Sequence, residues 1–162
     1  MRKSLTLALA AVSLMIGRAS ADPLEDGVRS FRQSDYAHAL ASWRPLADQG
    51  NPIAQNDLGI LYLDGKGVAR DYVRAAQWFS ASAAQGNSAG MYNLGLMYEL
   101  GQGMKAEPFH AYMWYALAAD QGDVPNAAAH RDGLWRRMTS AAQDEAKKLV
   151  ATCKANNYHG CR

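Results

Sequence analysis

The segment AQNDLGILYLDGKGVARDYVRAAQWFSASAAQG, Ala54 to Gly86, is written again 36 residues later as GMYNLGLMYELGQGMKAEPFHAYMWYALAADQG, Gly90 to Gly122. The identities fall on Leu58/Leu94, Gly59/Gly95, Tyr62/Tyr98, Gly65/Gly101, Gly67/Gly103, Ala75/Ala111, Trp78/Trp114, Ala83/Ala119, Gln85/Gln121 and Gly86/Gly122. These residue types fix turns and helix contacts, and the residues between them drift. A period of this length marks a solenoid in which no unit buries its apolar face alone.

Within one unit the local signals give helix, glycine loop, helix, tight turn. Asn51 caps a helix whose first residue is Pro52, where a missing N–H costs nothing. Ala54, Leu58, Leu61 and Tyr62 recur at helical spacing until Asp64-Gly65-Lys66-Gly67 breaks it, which predicts a helix over 52–63. Asp71 caps a second segment with Ala75, Trp78, Phe79 and Ala83 on one stripe, closed by Gly86. The next unit uses Asn87, Gly101-Gln102-Gly103 and Glu107-Pro108 for the same purposes, predicting helices over 88–99 and 108–121. Small residues at Ala54/Gly90, Gly59/Gly95, Ala75/Ala111 and Ala83/Ala119 permit close backbones, and Trp43, Trp78 and Trp114 read as core.

Upstream, a degenerate third copy is visible in Asp35/Asp71/Glu107, Ala39/Ala75/Ala111, Trp43/Phe79/Tyr115, Ala47/Ala83/Ala119 and Gly50/Gly86/Gly122. Its first helix is offset by 32, with Gly27 matching Gly59, because its loop is four residues shorter. Helices are predicted over 24–33 and 36–49. Downstream the pattern decays: His130 and Arg131 occupy the leucine and glycine positions. Two further helices are expected, from Asn126 to Met138 and from Ala141 to Lys154, the second opened by a capping box at Ser140-x-x-Gln143. Arg131, Arg136, Arg137, Asp144, Glu145, Lys147 and Lys148 crowd their outer faces, as a solvent-facing end cap requires.

At the N-terminus, Arg2-Lys3, the apolar run Leu5 to Ile16 and Ala19-Ser20-Ala21 read as a secretory signal peptide over 1–21, with cleavage after Ala21. Its removal deletes three of the 17 basic residues and none of the 15 acidic ones, leaving 14 against 15. The basic character of the full chain therefore lies in the leader, and the remainder gives no case for nucleic acid or an anionic membrane surface. The expected organisation is one domain over 22–154, comprising a degenerate repeat at 22–50, repeats at 51–86 and 87–122 and a closing helix pair at 123–154, with a tail at 155–162. No later segment is apolar enough to predict stable membrane insertion after cleavage. A periplasmic or secreted protein is expected.

Two cysteines, Cys153 and Cys161, stand near the end of the chain. In an exported protein a disulfide is the default, closing a short loop over the tail. Cys153, His159 and Cys161 offer an alternative metal site, with irregular spacing and no fourth ligand. No Ser-x-x-Lys, Gly-x-Ser-x-Gly, His-Glu-x-x-His or Walker pattern occurs, and no catalytic residue, metal or cofactor is predicted. The Gly-x-Gly loops join helices on the repeat period, which is a structural role. His38, His110, His130 and His159 lack ligand spacing.

The string Ala-x-x-x-Leu-Gly-x-x-Tyr-x-x-Gly-x-Gly-Val-x-x-Asp-x-x-x-Ala-x-x-Trp-x-x-x-x-Ala-x-Gln-Gly, from Ala54 to Gly86, resembles the Sel-one-like repeat of the tetratricopeptide superfamily. It recurs from Gly90 to Gly122, with Met104 for Val68 and Glu107 for Asp71. The resemblance implies an all-α, right-handed helical-repeat solenoid of about eight helices in antiparallel pairs. It also implies a role in protein–protein contact, sometimes in the bacterial envelope. In such solenoids the first helix of each pair lines the concave side. Gln55, Asn56 and Ile60, with Met91, Tyr92 and Leu96 at the matched positions, thus become candidate residues for binding a protein or peptide partner. An alternative is that they face solvent or a neighbouring helix. Some secreted, cysteine-rich relatives bind or hydrolyse β-lactams, but they resemble a series with a disulfide in each repeat, and here no repeat holds a cysteine. A β-lactam-binding or hydrolysing protein, and a structural accessory that self-associates end to end, are the alternatives to a binding scaffold.

Overall fold

A computed structural model describes residues 22–161, and the predicted signal peptide lies outside them. The described residues form eight α-helices and no strand: α1 Pro23–Arg32, α2 Tyr36–Asp48, α3 Pro52–Asp64, α4 Tyr72–Ala83, α5 Ser88–Leu100, α6 Pro108–Gln121, α7 Ala127–Trp135 and α8 Ser140–Ala155. None is long and apolar enough to cross a membrane. From α1 to α7 each helix packs on the next in sequence, and α8 returns to pack on α6, so the expected all-α solenoid closes on a terminal cap.

The caps that delimit the repeats are the ones the sequence encodes. Asn51 accepts from the backbone N–H groups of Ile53 and Ala54 at 3.0 Å each. Asp71 accepts from Arg74 N–H at 3.0 Å and Asn87 from Gly90 N–H at 2.8 Å. Glu107 makes no such bond, and its carboxylate lies 2.8 Å from His110 Nδ1 instead. The long loops repeat bond for bond: Asp71 N–H reaches Tyr62 O at 3.0 Å, and Glu107 N–H reaches Tyr98 O at 3.0 Å.

Close approach explains the conserved spacing of small and aromatic residues between copies. A Cβ built on Gly27 would lie 2.1 Å from Trp43, one on Gly59 2.4 Å from Phe79, and one on Gly95 2.8 Å from Tyr115. In each pair an aromatic of the second helix thus occupies the space a side chain on the first would need. The second loop glycine serves stacking between repeats: a Cβ on Gly67 would meet Tyr36 O at 2.8 Å, and one on Gly103 would meet Tyr72 O at 2.3 Å. Each long loop therefore seats on the start of the preceding repeat's second helix.

Two details of the C-terminal cap differ from expectation. Thr139, not Ser140, caps α8 by accepting from Ala142 N–H at 3.3 Å, and Gln143 Nε2 donates to Trp135 O at 3.0 Å rather than closing a capping box. α7 ends at Trp135 and not Met138, because the chain passes into turn bonds from Arg137 N–H to Leu134 O and Met138 N–H to Trp135 O. Cys153 and Cys161 are joined in a disulfide, which leaves neither thiol for a metal. The bonded tail also folds back on the repeats. Tyr158 sits against the turn at Gly86 and, with Cys161, packs on the central apolar cluster.

Candidate functional site

α3 packs on α5 across the repeat boundary, whereas α4 and α6 make no comparable contact. The first helices of the two full repeats, α3 and α5, therefore meet on one side of the stack, with α1 on the same side but not packed on α3. The exposed large apolar side chains Ile53, Val73, Leu100 and Phe109 are distributed over four different helices, an ordinary condition for a folded surface.

The six candidate residues divide into two sets. Met91 is fully buried, and Gln55 is 6% exposed; both are withdrawn as surface contacts. Gln55 Nε2 donates to Ala47 O at 3.2 Å, and its carbonyl accepts from Gln85 Nε2 at 2.7 Å, tying α3 to the last turn of α2 and to the turn after α4. Positions 55, 58, 59 and 62 share one helical stripe, as do 91, 94, 95 and 98, so these residues face the core with the repeat signature. Asn56, also 6% exposed, is corrected in role: it accepts from Asn93 Nδ2 at 2.8 Å and donates to Asp57 Oδ1 at 3.2 Å. It is the middle of a polar ladder from α5 to α3. Ile60, Tyr92 and Leu96 are half-buried.

Tyr92 belongs to an aromatic cluster at the far end of this face. Its ring lies 5.6 Å from Tyr115 and 5.6 Å from His130, while Tyr115 and His130 are 4.9 Å apart. Tyr115 OH donates to Glu99 at 2.7 Å, and His130 Nδ1 lies 3.3 Å from the same oxygen. Burial first, and then the Glu99 carboxylate, push the Tyr115 phenol far up, so it remains a hydrogen-bond donor. His130, out of place in the repeat pattern, thus fastens α7 to α5 and α6.

One opening among the described residues joins apolar walls to a half-buried carboxylate, and it lies between α1 and α3. It is a pocket of about 270 Å³ lined by Val28, Phe31 and Arg32 of α1, Trp43 of α2, and Asp57 and Ile60 of α3. Sequence reasoning identified Ile60 and missed Asp57. Spacing carries the missing signal: 57, 60 and 64 lie on one stripe, and Asp57 matches Asn93 one repeat on. Burial raises the Asp57 carboxyl to about 6, partly offset by the bond from Asn56. Among the described residues Asn56 is its one hydrogen-bond donor, and no ion pair reaches it. Among the described residues no three metal-ligating side chains converge.

The Sel1 repeat family matches residues 52–87 and 88–123. No curated protein matches the chain. Among solved structures it is similar to c5321, a protective antigen present in uropathogenic Escherichia coli strains displaying an SLR fold, with TM-score 0.77 and 26% identity. That likeness covers 84% of this chain and 31% of the antigen. It is also similar to a Sel1 repeat protein from Oxalobacter formigenes, with TM-score 0.59 and 37% identity over 62% of this chain and 40% of that one. The chain thus spans less than half the length of either.

Proposed function

We propose that this chain, which carries two Sel1 repeats stacked in an SLR solenoid, is a non-enzymatic scaffold of the bacterial cell envelope that holds a segment of another protein on its inner face. The Sel1 repeat and SLR fold are consistent with a protein–protein interaction scaffold. The observation that carries the finer reading is the pocket between α1 and α3, with apolar walls and a carboxylate, on the face where the first helices gather. A surface held by helix packing needs little ordering when a partner arrives, which lowers the entropic cost of association. The Cys153–Cys161 disulfide supports an oxidising compartment, the periplasm or the exterior.

Position-specific photo-crosslinking in the native host tests this reading. A photoreactive residue at Ile60, beside the pocket, is expected to trap a reproducible protein partner, and one at the exposed Gln77 of α4 is not. Trapping at Gln77 but not at Ile60 would move the interface to the other side of the solenoid.

A further inference from the structure

We propose that the pocket between α1 and α3 receives a lysine or arginine side chain from an extended segment of the partner, its aliphatic stem against Val28, Phe31 and Ile60 and its cationic head on the Asp57 carboxylate. The proposal rests on the scaffold reading above and names what the scaffold selects. Three observations support a cation with an apolar stem over a purely apolar group. Asp57 is held in place from one side, since the ladder from Asn93 through Asn56 ends on its Oδ1 and leaves the other oxygen without a donor among the described residues. The walls of the pocket are apolar apart from Asp57 and Arg32. The Asp57 carboxylate suffers from burial with no cation paired to it, so an entering cation gains both an ion pair and a charge-assisted hydrogen bond. Long basic side chains are built for such a site, with an apolar stem and a charged tip.

The surroundings define how charge controls the pocket. Arg32 on α1 is the other charged group that lines it; Trp43 from α2 and Ile60 from α3 are uncharged, and α5 contributes the neutral Asn93 through Asn56. Glu25 and Arg29 line the adjoining hollow on α1. Arg32 competes with an incoming cation, so its removal strengthens binding. Protonation of Asp57 removes the attraction, so the preference for a basic residue falls as pH drops through about 6.

The test is an NMR titration of residues 22–162 with two capped tripeptides, acetyl-Leu-Lys-Leu-amide and the same peptide with norleucine for lysine. The lysine peptide is expected to shift the amides of Val28, Asp57 and Ile60 saturably and to bind about tenfold tighter than the norleucine peptide. Asp57→Asn should erase that preference without unfolding the chain, and Arg32→Ala should enlarge it. Equal binding of the two peptides, a preference that survives Asp57→Asn, or lysine-dependent shifts confined to α5 to α8 would each overturn the proposal. If neither peptide binds while a partner is still trapped at Ile60, the basic-residue proposal fails and the scaffold reading stands. If the trap at Ile60 also fails, both fall.

Discussion

Gly59→Val is expected to cost on the order of 3 kcal/mol of folding stability, because a Cβ at that position lies 2.4 Å from the Phe79 ring, before the two methyl groups are added. Phe79 is fully buried at the junction of α3 and α4, so neither the ring nor the helix has space to yield. Against a typical domain stability of about 5 to 15 kcal/mol this is a severe loss. Denaturant titration should show a lower midpoint, and pairing Gly59→Ala with Phe79→Leu should recover part of the Gly59→Ala deficit. Gly133→Ala provides the opposite sign. It lies in α7, its Cβ would meet nothing within 4 Å, and replacing a helical glycine there should add about 0.5 to 1 kcal/mol. Equal effects at Gly59 and Gly133 would show that helix propensity, and not the glycine–aromatic contact, governs these positions.

Asp57→Asn is expected to stabilise the fold at neutral pH by on the order of 2 kcal/mol, after allowance for the water the carboxyl retains. The sign follows from proton binding. The folded carboxyl titrates at about 6 against an unperturbed 3.8, so between those values the folded chain holds more protons than the unfolded one. Stability therefore declines as pH rises through that window and stays reduced above it. Asparagine removes the buried charge and keeps an acceptor for Asn56. The advantage of the variant should shrink as pH falls through 6 and nearly vanish at about pH 4. A variant less stable than the parent at neutral pH would mean that the carboxylate is already compensated. A carboxylate that costs stability while lining a pocket fits a role in contact.

Much of the architecture is legible in the chain because the repeat states the same instruction twice. Asn51 and Asn87 read as caps and are caps; Gly59 and Gly95 read as sites of close approach and meet Phe79 and Tyr115. Single-copy features are harder to read. Thr139 and Ser140 are adjacent hydroxyl residues, and only the path of the chain decides that Thr139 is the cap. Nothing in Tyr158 itself announces that a disulfide will return it to the turn at Gly86.

The candidate site is less legible for a physical reason. Disagreement between the copies identified positions free of the fold's signature, but Gln55 and Met91 differ while sharing the same buried stripe. A glutamine satisfied by Ala47 and Gln85 and a methionine filling space are alternative solutions to one core position. Helical phase separates 55 and 91 from 56, 57 and 60, and with it Asp57 is within reach of sequence reasoning. The pocket itself is not, since it depends on α1 standing away from α3 while α5 closes on it.

Hydrogen–deuterium exchange on the chain with and without its trapped partner tests the central claim most directly, that the inner face built by the first helices is the binding surface. Added protection is expected in α1 and α3, beside Val28, Asp57 and Ile60, with α4 and α6 unchanged. Protection confined to α4, α6 or α8 would contradict it.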